Sequence, residues 1–309
     1  MFVSIQRYVI FVKILFLMQR LAYGMVYPIL WLISILPFRL LYAFSDFLTF
    51  FIYHIVRYRR EAVAQNLSLA FPKKDKMEIK TIEKEFYKHF TDLFLETFKS
   101  LSISDTELKK RFVIKNPEEL ERLESLKKSY VILMAHYASY EWVNALHFYG
   151  LTFKAHGVYK PIKNKYFDHL IKSIRSKYDT EMLASKSVPK KMLRQQQEGI
   201  LASYAMIADQ SPKRKGAKHY VKFLNHEVPA FVGAEYIAER LNLSMTYLHV
   251  EKVKRGYYEA EFVPLSDEPQ KVESYQITDL YFKLLEDQIV KKPAYYLWTH
   301  KRWKHRLDK

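Results

Sequence analysis

The sequence predicts an α/β protein, a mixed and largely parallel sheet flanked by helices, preceded by an N-terminal membrane-associated helical segment. Three observations carry that reading. Leu21 to Phe38 is an uncharged apolar run of 18 residues, about the minimum for a spanning helix. Beyond Ser129, short apolar runs alternate with amphipathic stretches, the rhythm of interleaved strands and helices. The third is a set of absences: the 309 residues include no Cys and only seven Gly, no two of them within six positions of each other. A disulfide framework, a thiolate zinc site, an iron–sulfur cluster and a cysteine nucleophile are therefore excluded. So are the Walker A loop, the GxGxxG dinucleotide fingerprint and the GxSxG nucleophile elbow, all of which need closer glycines. With 49% apolar and 16% aromatic residues, the chain is too hydrophobic to be disordered.

Residues 1–56 stand apart. The run from Leu21 is preceded by YVIFVKILFLMQ and followed, after Arg39, by LLYAFSDFLTFFIYHIV, while Pro28 and Pro37 are expected to interrupt it. A spanning helix, a buried core helix and an amphipathic segment lying in the interface all fit. Basic residues flank both sides, so no orientation follows from charge. The apolar run is too long for a signal peptide and no small-residue cleavage site follows it; Met18 and Met25 are alternative starts.

From Arg57 the pattern becomes that of a folded domain, 57–309, with a helical lead-in (57–128) and an α/β core (129–309). RREAVAQNLSLAFP (59–72) reads as an amphipathic helix ending near Phe71-Pro72. Residues 76–100 place Ile79, Ile82, Phe86, Phe90, Leu93, Phe94 and Phe98 at helical spacing. A third helix runs from Pro117 to Lys128 with Asn116 as its N-cap. YVILMA (130–135) has the continuous apolarity of a fully buried strand. A helix to about 150, the strand LTFKAHGVY, helices over 164–178 and 187–198, and the apolar strand GILASYAMIA follow. Then come a hairpin of YVKFL with HEVPA, the helix GAEYIAERLN, a second hairpin turning at Arg255-Gly256, a helix over 274–291 and a strand-like AYYLW.

Charge narrows the partners. Fifty Lys and Arg against 33 Asp and Glu leave a formal +17, which favours an anionic partner: nucleic acid, a membrane surface, a lipid head group or an acidic carrier protein.

In an α/β sheet, reactive groups gather at the carboxyl ends of strands. Two strand ends here carry polar residues out of keeping with their strands: His136, directly after YVILMA with Glu141 five residues on, and Asp209-Gln210, directly after ASYAMIA. On one continuous helix His136 and Glu141 would lie about 140° apart. A histidine in the turn before a helix, with the glutamate in its first turns, would instead let the carboxylate bend back onto the imidazole, as a general base requires. The competing interpretation is a histidine packed at a strand end beside a solvated glutamate, and one His-x4-acid pair is expected about once by chance in such a composition.

The surrounding blocks carry more. HYASYEW resembles the active-site block of the lipid A late (secondary) acyltransferases of the lauroyl/myristoyl type. The resemblance extends through Arg59-Arg60 with Asn66-Leu67 and Ala70-Phe71-Pro72, through GVYKPIKN (157–164) and ADQSPKRKG (208–216), to the terminal PAYYLWTHKRWKHR (293–306). It implies a glycerolipid-acyltransferase-like fold on the bacterial inner membrane, facing the cytoplasm. It also implies acyl transfer from an acyl carrier protein or acyl-CoA thioester to a hydroxyl of an anionic glycolipid acceptor. His136 would be the general base and Glu141 its orienting partner. No metal or cofactor is expected beyond the acyl co-substrate. Lys160 stands where the family usually places an arginine, keeping the charge but losing the bidentate fork; Arg175 in the following helix is a replacement for phosphate or oxyanion binding, or an exposed helix charge. Asp209 and Gln210 match the family's A-D-Q segment and would bind the acceptor head group or brace the dyad. The loop after them, with Lys213, Arg214 and Lys215, is a docking surface for phosphorylated lipid or acidic carrier, or a solvated face.

The basic, aromatic C-terminus is expected to meet an anionic membrane interface of phospholipid. Nucleic acid is not expected, because no RNA- or DNA-binding motif accompanies these residues. Within the enzyme class, another membrane glycolipid or aminolipid, such as a phosphatidylinositol mannoside, remains open as acceptor. Outside it, so does a membrane-surface binding protein that has lost catalysis.

Overall fold

The computed structural model describes residues 2–212 and 216–307; Lys213, Arg214 and Lys215 lie outside the described residues. The chain opens with two helices, α1 (Phe2–Ile35) and α2 (Phe38–Phe50), the second running on into one π-helical turn, Phe51–Val56. Pro28 sits inside α1, correcting the expectation that it breaks the run: a single missing N–H is tolerated there. The break falls at Leu36-Pro37, within the 18-residue stretch picked from sequence. Among the described residues, the helix long and apolar enough to cross a membrane is instead Phe38–Val56.

The lead-in forms α3 (Arg60–Ala70), α4 (Lys76–Lys99), α5 (Asp105–Arg111), strand β1 (Phe112–Ile114) and α6 (Glu118–Ser125). Asp75 caps α4 in a full capping box with Glu78; Ile79, Ile82, Phe86, Leu93 and Phe98 of its period are buried, Phe90 is half-buried, and Phe94 is exposed. Asn116 does not cap α6. Its carboxamide instead pairs with the backbone of Phe262 in both directions, at 2.9 Å each, so the lead-in is fastened to the sheet.

The core strands are β2 (Tyr130–Met134), β3 (Lys154–Tyr159), β4 (Glu181–Ala184) and β5 (Ala202–Ile207), with β8 (Ser244–Lys254) and β9 (Tyr257–Ser266). Helices α7 (Lys165–Arg175), α8 (Val188–Gln197), α9 (Gly233–Leu241) and α10 (Gln276–Lys291) flank them, and β6 (Tyr220–Phe223) with β7 (His226–Pro229) makes a separate hairpin. The seven-stranded sheet has the order β1-β9-β8-β2-β5-β3-β4. All pairs are parallel except the β8–β9 hairpin. β2 is central and wholly buried, as its continuous apolarity requires.

Two expected elements take other forms. Residues 142–149 are a 3-10 helix instead of an α-helix, and AYYLW is not a strand: Pro293–Tyr295 is a 3-10 turn, and one bridge joins Tyr296 to Tyr137. Three elements escaped the periodicity because they are short or polar: α5, β1 and the edge strand β4.

Candidate active site

The central register assembles the site. β2 and β5 run parallel with Tyr130 opposite Ser203 and Met134 opposite Ile207. The pairing persists through the Ala208 N–H to the Met134 carbonyl at 3.3 Å. Two residues further on, the same register brings His136 to Asp209, and their side chains meet: Nδ1 of His136 lies 2.7 Å from Oδ1 of Asp209. Asp209 is 2% exposed and the His136 side chain 19%, so the carboxylate is sealed while the imidazole keeps one open edge.

The His136 turn is rigid. Its carbonyl accepts from the Leu297 N–H at 3.0 Å, and the Ala138 N–H donates to the Tyr295 carbonyl at 3.0 Å. The C-terminal segment thus clamps the turn from both sides. Ala138 has φ +49°, a left-handed conformation costing a non-glycine residue about 1–2 kcal/mol; such strain persists where the surroundings over-determine it. The Tyr140 ring stands edge-on to the imidazole at 5.1 Å.

The carboxylate on the imidazole is therefore Asp209, not Glu141. Without an α-helix after His136, the chain carries Glu141 away from the ring and onto Arg175, whose Nε and Nη2 hold it as a fork at 2.9 and 2.5 Å. Arg175 is positioned by the last turn of α7, which Asn164 caps and whose Leu170 and Ile174 are buried. Glu141 still acts on His136 through its field.

Electrostatics follow from the arrangement. Burial pulls the His136 pKa down, but the Asp209 carboxylate and its hydrogen bond outweigh it, assisted by Glu141, and the net shift is upward. Burial likewise opposes the Asp209 charge, yet the imidazole, its bonds and the Arg302 guanidinium leave its pKa below the usual carboxylate value. With Nδ1–H engaged by Asp209, Nε2 is the nitrogen left for chemistry; the Gln210 side-chain nitrogen is 3.4 Å from it.

Of the residues singled out in the sequence, the structure brings His136, Asp209 and Gln210 together and joins Glu141 to Arg175, so the pairing is His136–Asp209 and Glu141–Arg175. Lys160 is exposed at the end of β3, outside both pairs. Asp209 is more than a strand-end cap.

The C-terminal tail is the larger correction. Trp298, Trp303, Tyr296 and Arg302 are at most 2% exposed, so these residues are core and not membrane surface. Trp298 stacks on Trp303, and Trp303 on Phe223. Arg302 lies over the Phe223 and Phe282 rings and donates to Ser211 Oγ at 2.7 Å and to the Pro229 carbonyl at 3.0 Å. From there it reinforces the Asp209 charge. Arg302 and Tyr296, which both interact electrostatically with Asp209, are not among the candidates drawn from the sequence; their signal is the aromatic-basic block itself, read as surface because its charge count conceals which residues turn inward.

Asn66 explains why that segment stays in place. Its Nδ2 donates to the carbonyls of Trp298 and His300 at 2.7 and 2.8 Å, and Arg59 donates to the Thr299 carbonyl at 3.0 Å. Asn66→Ala is expected to lower stability by about 2–3 kcal/mol, two buried bonds plus the carbonyls left unpaired. Denaturant unfolding measures it. A loss below about 0.5 kcal/mol would show that the tryptophan stack alone holds the segment.

A buried carboxylate–imidazole pair at the carboxyl ends of adjacent parallel strands, clamped by a C-terminal block, can be compared with known proteins. A model of the bacterial lipid A biosynthesis acyltransferase family matches residues 12–305. The lipid A biosynthesis palmitoleoyltransferase of Escherichia coli (strain K12) is 24% identical over 251 residues, 80% of each chain. The lipid A biosynthesis lauroyltransferase of the same organism is 23% identical over 284 residues, covering 91% of this chain and 90% of that one. A lipid A biosynthesis acyltransferase of Shigella flexneri is 24% identical over 251 residues, 80% of each chain. The matched span takes in both the His136–Asp209 pair and the block that clamps it, and the chain belongs to the bacterial lipid A biosynthesis acyltransferase family.

Proposed function

We propose that this protein transfers a fatty acyl chain from a thioester, carried by acyl carrier protein or CoA, to a hydroxyl of a lipid A precursor, working at the cytoplasmic face of the bacterial inner membrane. The observation that carries this reading is the 2.7 Å His136–Asp209 pair with Nε2 left for a substrate proton. Asp209 fixes the tautomer and stabilises the imidazolium that forms. Nε2 takes the proton from the acceptor hydroxyl as its oxygen attacks the thioester carbonyl. The tetrahedral intermediate then collapses, the C–S bond breaks, and the imidazolium returns the proton to the departing thiolate. With no cysteine in the chain, direct attack needs no acyl-thioester enzyme.

Arg175 is a cation whose field reaches His136. Glu141 takes Nε and Nη2, and Nη1 is the group for the oxyanion or an acceptor phosphate. Glu141 is thus a positioning residue, acting on the reaction through Arg175 and through its field at His136.

Mass spectrometry of lipid A from a strain lacking the gene tests the acceptor. Lipid A short of one acyl chain is expected, restored by the intact gene and not by its His136→Ala form. Unchanged lipid A, with an aminolipid or mannoside short of a chain, would overturn the assignment.

A further inference from the structure

We propose that Phe38–Val56 lies in the plane of one membrane leaflet and does not cross the bilayer, seating an apolar face on an anionic lipid surface. This rests on the membrane-attached reading above and decides between its two geometries. By length and composition alone the helix could span.

Its side chains are arranged the wrong way for spanning. The outward stripe, Leu40, Phe47, Phe50, Phe51 and Ile55, is apolar and 42–63% exposed, with exposed His54 packed on Phe50. The inward face is polar at mid-helix. Ser45 Oγ donates to Asp92 at 2.7 Å and Tyr42 to Glu96 at 2.7 Å. On the flank between the two faces, Asp46 accepts from Arg255 at 2.8 and 3.0 Å, and Lys88 stands 3.7 Å away. Arg255 also holds the buried Asp92. The Arg255-Gly256 turn is docked tightly on the helix: a Cβ at Gly256, whose φ is +73°, would overlap the Tyr42 hydroxyl.

Crossing the bilayer would put the centre of this helix at the midplane, with a half-exposed Asp46 and Lys88 beside it. It would also take α4 along, which packs against α2 and exposes Lys80, Lys84, Glu85 and Lys88. Charges at that depth are expensive and need a protein-lined or watery surround. Lying flat removes the conflict, because the stripe then meets acyl chains while the Asp46 flank and α4 stay at or above the head groups.

Helix α1 also carries exposed apolar residues, Leu21, Met25, Ile29 and Leu32, which recur every three or four positions. Exposed Arg20, Arg39 and Arg57 flank the apolar residues of the two helices, which selects anionic head groups as the surface. The face adjoins the site. Phe38 packs edge-on to Trp142, the neighbour of Glu141, at 6.3 Å, and Leu30 of α1 joins the cluster that buries the α7 helix of Arg175. A lipid acceptor therefore reaches His136 from the leaflet on which the helix lies.

The chain has no native cysteine, so single cysteines at Leu40, Phe47 and Ile55 can carry bimane in the full-length protein. Vesicles of phosphatidylethanolamine and phosphatidylglycerol would contain doxyl-labelled lipid at shallow or deep acyl positions. Equal, shallow quenching at all three sites is expected. Deep quenching that peaks at Phe47 and falls at Leu40 and Ile55 would overturn the in-plane geometry. Failure of the intact protein to float with the vesicles would instead overturn membrane attachment itself, a separate result from the lipid A assay. The double variant Phe47→Glu, Phe50→Glu, both sites well exposed and so compatible with folding, is expected to bind such vesicles about tenfold or more weakly; unchanged flotation would also overturn the proposal.

Discussion

Replacing His136 with alanine is expected to lower kcat by about 10²–10⁴-fold, the range that one positioned general base supplies. The residual rate would come from substrate binding and from the Arg175 charge. Alanine also leaves Asp209 buried without its imidazole, so lost activity could reflect a disturbed site. His136→Gln separates the two, because its carboxamide can still donate toward Asp209 while offering no basic nitrogen. Both variants should be equally inactive in an acyl-transfer assay and both should remain folded by circular dichroism. A glutamine variant retaining more than about a tenth of the activity would remove the general-base role.

Asp209→Asn is expected to cost roughly 10²–10⁴-fold in kcat and to move the pH profile. In the proposed mechanism the active form carries neutral His136, so kcat/KM should rise with pH through the His136 pKa and level off above it. In the native protein that pKa is raised by Asp209, against burial. Removing the carboxylate leaves burial unopposed by its strongest partner, so the acid limb should shift to lower pH. A variant that loses rate with an unshifted limb would make Asp209 merely structural. The linkage to stability has the matching sign. His136, with its pKa raised, stabilises the fold fully below its unfolded value and loses that contribution as pH climbs through the folded pKa. Asp209, with its pKa lowered, contributes above its unfolded value and loses it as pH falls through the folded pKa. The pair is worth most between the ordinary carboxylate and imidazole values, about pH 4 to 6.5.

Much of the fold was legible in the sequence because local rules and tertiary demands agree there. The apolar run of β2, bounded by polar residues, reads as a fully buried strand, and the period of α4 presents one face to a core. The hairpin turning at Arg255-Gly256 announces itself by the lone glycine, which adopts positive φ. Legibility failed where the chain is short, polar or held by distant partners. Residues 142–149 have helical composition, yet the turn before them is clamped by Tyr295 and Leu297 and they settle as 3-10. AYYLW alternates like a strand, but Asn66, Arg59 and the tryptophan stack hold it as a buried irregular segment.

The sequence by itself determined the α/β class, the apolar N-terminus, the exclusion of thiol chemistry and the two strand ends that carry His136 and Asp209. Each of those follows from residue type and local period. Only the tertiary structure decided which carboxylate orients the imidazole, because that depends on the β2–β5 register across 73 residues of chain. Spacing made Glu141 the nearer candidate, but proximity in sequence counts for little once two parallel strands lie side by side. Burial of the C-terminal block was decided in the same way. Its charges and rings are identical on either side of a surface, and only packing against Phe223, Asn66 and Asp209 turned Arg302 and the tryptophans inward.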